Sequence, residues 1–353
     1  MGRSDVLITS DIHLTDRPED EYRWELFPWL LKQVERRQVA HVCILGDLTD
    51  SKDRHSARLV GRVVDCVLKL AAVVDVWLLK GNHDYVDPQC PFFGFLGQLP
   101  RVHYVSVPQV AWLGRRKVLM LPHVREVEAF NNKHFHDVVA VFTHHTFKGA
   151  KLESGVCADW GMTTEEFADL MPSGVRIVSG DVHVPQRLGC VLYCGAPHPV
   201  RFGDTYQPRV LWWSNAGLKS LSRATMKKHV VRVGLGDDLE RVRRKLEAGD
   251  QVKVLVDVSD AAYSDWDKYH ARIVALCRNT NTTLASIEAV KEPRVAAVKQ
   301  ASARASANPA HTYKRFCRQH ELPKSVRRAG SVLLAARLNT STSNEVEDTD
   351  ADA

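Results

Sequence analysis

Five short apolar runs in this chain each break at their carboxyl end straight into Asp, Asn and His. Val6–Thr9 runs into Ser10-Asp11-Ile12-His13, His41–Leu45 into Gly46-Asp47, and Val74–Leu79 into Lys80-Gly81-Asn82-His83-Asp84. Val138–Phe142 runs into Thr143-His144-His145, and Val175–Val178 into Ser179-Gly180-Asp181-Val182-His183. Runs of four to six β-branched and aliphatic residues read as buried strands. Between them lie helical stretches at Glu21–Arg36, Ala57–Leu70 and Thr164–Leu170. That alternation is the rhythm of an α/β fold. Ligand sites in such folds gather at the carboxyl ends of the strands, so the five polar loops are expected on one rim. Further strands are read at Lys117–Leu121, Val191–Tyr193 and Val210–Trp213, with a hairpin turn at Arg115–Arg116 after Gly114.

Length and charge then divide the chain. At 353 residues it exceeds a usual single domain. Its 44% hydrophobic and 25% charged residues suit an ordinary globular protein and exclude a disordered, collagen-like or membrane-spanning one. Residues 1–215 hold the five loops. Residues 225–290 read strand (His229–Val233), helix (Asp238–Ala248), strand (Gln251–Val256), helix (Asp265–Cys277), strand (Thr283–Ala289), a small α/β unit. Residues 291–338 read as helical and basic, with eleven basic and two acidic side chains before Leu338, and residues 339–353 as a disordered acidic tail with five carboxylates and no base. The formal net charge of +6 is therefore a sum of unlike parts. The eight cysteines are scattered without a CxxC pair, as expected of reduced thiols in the cytoplasm. The amino terminus has the features of neither a secretion signal nor a myristoylation site.

Chemically the five loops supply what two adjacent divalent cations need: hard and borderline donors on rigid elements, one of them a carboxylate able to bridge. Asp11, His13, Asp47, Asn82, His144, Asp181 and His183 are the candidate donors. No thiolate is among them, which suits Mn²⁺, Fe or Zn²⁺ better than a structural zinc.

At these residues the sequence resembles the calcineurin-like metallophosphoesterase superfamily, whose pattern runs DxH, GD, GNH(D/E), an isolated His, then GHxH. The resemblance implies an α/β fold of two sheets packed as a sandwich and flanked by helices. It implies one metal held by Asp11, His13, Asp47 and His183, and a second held by Asp47, Asn82, His144 and Asp181, with Asp47 bridging. Mn²⁺ is the metal it favours. Asp181 stands where the family has the first His of GHxH, which leaves open whether it ligates the metal or supports a ligand. His83 matches the general-acid histidine, with Asp84 expected to orient its ring.

Within that superfamily the stretch Gly180–Asp204 resembles the SbcD/Mre11 branch of DNA exonucleases, including the short versions found in bacteriophages. Pro185-Gln186, Tyr193-Cys194-Gly195-Ala196 and Phe202-Gly203-Asp204 carry that likeness, and residues 225–290 fall where those nucleases have a capping domain. The implied function is a two-metal DNA exonuclease, with endonuclease activity in reach, acting in repair, recombination or replication. DNA, a second copy of the chain and an SbcC/Rad50-like ATPase are the implied partners. The alternatives are a phosphodiesterase or phosphatase for nucleotides or other small molecules, and a DNA-end-binding scaffold. Asp50 replaces the branch's substrate-orienting His, and Asp50, His145 and His198 are candidate substrate contacts.

Overall fold

The structure, a computed structural model, describes residues 4–125, 137–258, 265–291, 313, 317, 324 and 326–332. The chain divides into two units, residues 1–292 and 293–353.

In the first unit, one six-stranded sheet has the order β12-β11-β1-β2-β3-β4. Its strands are β1 (Val6–Thr9), β2 (His41–Leu45), β3 (Asp75–Leu79), β4 (Val102–Val105), β11 (Arg209–Ser214) and β12 (Gly217–Ser222). β1 to β4 are parallel, and the last two close one edge antiparallel. The second sheet has the order β5-β6-β7-β8-β10-β9, from β5 (Gln109–Leu113), β6 (Arg116–Leu121), β7 (Ala140–His144), β8 (Arg176–Gly180), β9 (Gln186–Leu188) and β10 (Val191–Tyr193). Here β6, β7, β8 and β10 are parallel, with one antiparallel strand at each edge.

Side-chain alternation explains why the sheets stack. Val6 and Ile8 of β1, Cys43 and Leu45 of β2, Val118 and Met120 of β6, and Phe142 of β7 meet in one core between the sheets. The intervening residues face outward: Leu7, Val42 and Ile44 pack under α1 (Leu26–Arg37) and α2 (Ala57–Ala71). Leu119, Val141 and Ile177 pack with Phe167 of α3 (Thr164–Asp169). Both faces of both sheets are thus covered, which is why the strands read as continuous apolar runs. The fold is the expected sandwich of two sheets flanked by helices.

A third, parallel sheet joins β13 (Lys228–Gly234), β14 (Gln251–Val258) and β15 (Thr283–Lys291). It has its own core, in which Val252, Val254 and Val256 meet Tyr269 and Ile273 of α5 (Trp266–Asn279). The helix expected over Asp238–Ala248 is shorter, α4 (Glu240–Arg243), with Leu239, Val242 and Leu246 packed on the same core. This subdomain is tied to the body through buried charge. Lys228 Nζ lies 3.4 Å from Asp20 Oδ1, and the Gln251 amide donates to the Glu19 carbonyl. In the second unit the described residues are helical. The expected acidic tail at 339–353 lies outside the described residues, as does most of the basic segment 291–338.

Candidate metal centre

All five loops leave the carboxyl ends of parallel strands: β1, β2 and β3 in one sheet, β7 and β8 in the other. Four of the residues that leave those ends, Asp11, His13, Asp47 and Asp181, hold φ between 48° and 75°. That left-handed region costs an ordinary side chain roughly 1–3 kcal/mol. The barrier to relaxation is local packing. Asp11, Ile12 and His13 donate their amides to the carbonyls of Gly46 and Asp47, so the first two loops clamp each other. Gly81 fits beneath the second loop because it has no side chain; a Cβ there would lie 2.3 Å from Asp47 Oδ1.

Two donor sets result. In the first, Asp11, His13 and His183 bring ligand atoms within 4.8 Å of one another. The Nε2 atoms of His13 and His183 point at each other across 3.1 Å, and His13 Nε2 lies 3.5 Å from Asp47 Oδ2. In the second, three oxygens surround His144 Nε2: Asn82 Oδ1 at 3.2 Å, Asp47 Oδ1 at 3.3 Å and Asp181 Oδ1 at 3.7 Å. Asp47 thus gives one oxygen to each set. His144 Nδ1 bonds the Leu45 carbonyl, and because a carbonyl only accepts, Nδ1 carries a proton and Nε2 is the nitrogen turned toward the three oxygens.

Cations suit this arrangement. Asp11 Oδ2 is buried with no hydrogen-bond partner among the described residues, a costly state for a carboxylate that a bound cation removes. Burial pushes the Asp11 carboxyl up to about 6, against the pull of His144 and His183. Asp47 is held far below the usual carboxylate range, because His144 and His13 outweigh its burial. Asp181 Oδ2 accepts from Thr146 Oγ1 at 2.7 Å, which leaves Oδ1 for the His144 side.

Several candidates fall elsewhere than expected. Asp84 does not reach the ring of His83: its carboxylate folds back to accept the amides of Gly81 (2.6 Å), Asp47 (3.0 Å) and Leu48 (3.2 Å), pinning the second loop. The His83 ring is oriented instead by Asp50, whose backbone carbonyl lies 2.7 Å from Nδ1. The Asp50 carboxylate, expected toward substrate, faces Arg17 Nη2 (3.5 Å) and His13 Nδ1 (3.6 Å). His198 is entirely buried, so it is closed to a phosphate; its Nε2 bonds the Ile12 carbonyl at 2.8 Å and braces the first loop. His145 is also buried, its ring 5.0 Å from that of His123. Burial, then the nearby His123 and His144, push it well below the ordinary histidine value, and it offers no open face to substrate.

Other residues at the centre carry no motif. Glu153 Oε1 lies 2.6 Å from His183 Nδ1, a carboxylate behind a candidate ligand imidazole. Arg23, buried, donates to the His13 carbonyl. His123 follows β6, with Nδ1 2.9 Å from the Tyr85 hydroxyl and its ring 6.3 Å from that of His144. Glu153 sits in an irregular loop, where only the structure reveals it.

The fold and the paired His/Asp clusters define a metal-dependent phosphoesterase. A profile of the calcineurin-like phosphoesterases matches residues 4–185, and the chain belongs to that family. A search of curated proteins finds no match. Among solved structures, the chain is similar to an archaeal phosphodiesterase at 13% identity, over 62% of this chain and 99% of that one, with a TM-score of 0.35. A dimetal phosphatase from Danio rerio is similar at 12% identity over 63% and 99%, TM-score 0.37. The GAP50 anchor of the Plasmodium inner membrane complex is similar at 8% identity over 62% and 83%, TM-score 0.35. No helix among the described residues is long and apolar enough to cross a membrane.

Proposed function

We propose that this chain is a two-metal phosphodiester hydrolase acting on DNA, an exonuclease of the SbcD/Mre11 kind. The observation that carries the two-metal reading is Asp47, whose oxygens are divided between His13 and His144. Asp11, His13, Asp47 and His183 would hold one cation, and Asp47, Asn82, His144 and Asp181 the other, with Mn²⁺ favoured by the mixed oxygen and imidazole set. When bound, two such cations neutralise phosphoryl charge and acidify water.

The chain's own groups complete the chemistry. Asp50 fixes the proton of His83 on Nδ1, so the imidazolium form of His83 can give its other proton to the leaving oxygen. A ring nitrogen of His83 lies within 4.8 Å of ligand atoms of His13 and Asp47, near enough to serve a phosphate held there. Support for DNA as substrate comes from the Gly180–Asp204 stretch and from the subdomain at 225–290, anchored beside the first loop through Asp20. A second copy of the chain and an SbcC/Rad50-like ATPase are proposed partners on the same sequence grounds.

Purified protein with Mn²⁺, assayed on end-labelled duplex DNA and on bis-p-nitrophenyl phosphate, tests this. Hydrolysis of both is expected. Turnover of the small ester alone would identify a small-molecule phosphodiesterase, and DNA binding without turnover of either would identify a scaffold.

A further inference from the structure

Behind His183, on the side its Nδ1 faces, lies an open cleft of about 700 Å³. That volume is within the usual range of small-ligand sites, roughly 300–1,000 Å³. The cleft shares a wall with the metal centre: Glu153, which contacts His183, lines it, as do Val184 and Pro185 directly after His183. The facing loop brings Tyr206 and Gln207, and Arg209, Ser220 and Ser222 come from β11 and β12.

Arg209 is half-buried, and among the described residues its bonds go to neutral groups: Nε to the Cys194 carbonyl (2.9 Å), Nη2 to the Tyr193 carbonyl (2.7 Å) and Nη1 to Ser220 Oγ (3.1 Å). Burial lowers its pKa, and no carboxylate contributes to offset this. Lys151 engages Gln186 through its main chain and makes no side-chain ion pair among the described residues. The Tyr206 ring is fixed, because its hydroxyl donates to the His198 carbonyl at 2.9 Å and lies 3.3 Å from Asp204 Oδ2. Among the described residues the one carboxylate on the wall, Glu153, is occupied by His183. Two cations without acidic partners among those residues, beside a fixed aromatic ring and two serine hydroxyls, are the groups that grip a phosphate and stack a base.

We propose that this cleft is a nucleotide subsite, taking the unit next to the scissile phosphodiester with its phosphate on Arg209 and Lys151 and its base against Tyr206. The place of that unit in the substrate rests on the phosphodiesterase reading above; binding of the nucleotide does not. Photocross-linking of 5-iodouridine 5′-monophosphate to the Mn²⁺-loaded full chain, followed by peptide mapping, is expected to place the adduct at Tyr206. Lys151→Ala and Arg209→Ala should each cut its yield about tenfold. The ratio of kcat/KM for thymidine 5′-p-nitrophenyl phosphate to that for bis-p-nitrophenyl phosphate should fall by a similar factor in both variants. Arg209 also ties down two carbonyls, so Lys151→Ala carries the test if Arg209→Ala does not fold. Adducts confined to other residues, or an unchanged yield and ratio in Lys151→Ala, would overturn the subsite. An adduct at Tyr206 in a protein that hydrolyses neither ester would uphold it and refute the phosphodiesterase reading.

Discussion

Asp11 and Asp20 are both fully buried aspartates in the segment that follows β1, yet their surroundings shift them in opposite directions. Asp20 Oδ1 meets Arg23 (3.1 Å) and Lys228 (3.4 Å), and its Oδ2 meets Arg17 (2.7 Å) and Thr15 (3.0 Å). Burial alone would raise its pKa, but Arg23, Lys228 and Arg17 outweigh it and the carboxyl falls below its usual range. Asp11 has one oxygen on the Asp181 amide (3.1 Å) and the other without a partner among the described residues, and it rises. Both side chains are closed to solvent, yet Asp20, the less deeply set, sits in a closed cluster at the subdomain junction and Asp11 in an open one at the rim. The junction carboxylate has its cations within the chain; the rim carboxylate is arranged to meet one from outside.

The largest effect is expected at Asp47. Asp47→Ala should bring hydrolysis of every substrate to background, because it removes the carboxylate that faces both His13 and His144. Activity assays beside metal content check this. His83→Ala should retain metal and lower kcat by roughly 10² to 10⁴; equal losses of bound metal and activity would remove it from the general-acid role. Asp20→Ala should do the reverse. Stranding Arg23 and Lys228 should cost about 3–5 kcal/mol in stability, seen as a lower denaturant midpoint, with metal content intact in the protein that remains folded.

Smaller effects sharpen the boundary. Glu153→Gln should weaken metal affinity by roughly 10- to 100-fold by loosening His183, with kcat recovered at saturating Mn²⁺; unrecovered kcat would point to a direct part in chemistry. The depressed pKa of Asp20 gives the slightest signal. Its stabilisation is full above the unfolded carboxylate value of about 4 and is lost as pH falls through the lower folded value. The gap in Tm between wild type and Asp20→Asn should therefore shrink as pH is taken from 7 to below 4, and a constant gap would remove Asp20 from the acid transition.

Much of the rim was legible because strand ends announce themselves: an apolar run stopping at Asp, Asn or His is visible without coordinates, and the seven candidate donors lie together. The sandwich followed from the same runs. Edge strands were harder to read. The strand at Gln186–Leu188 is three residues long, and Gly217–Ser222 mixes Lys and Ser with leucine because one side faces solvent. Side-chain direction was also hidden. Asp84 is next to His83 in sequence, but the turn after Gly81 sends its carboxylate under the second loop, and a backbone carbonyl at Asp50, which no residue type signals, takes the ring. His198 and Glu153 show the same limit. One looked available and is sealed against the first loop; the other lay in a loop without motif and reaches His183 only through the fold.

The shared site is tested most directly by anomalous scattering from crystals of the Mn²⁺-loaded protein. Two peaks flanking Asp47 are expected, one bounded by Asp11, His13 and His183 and the other by Asn82, His144 and Asp181. A single peak, or two peaks that do not share Asp47, would contradict it.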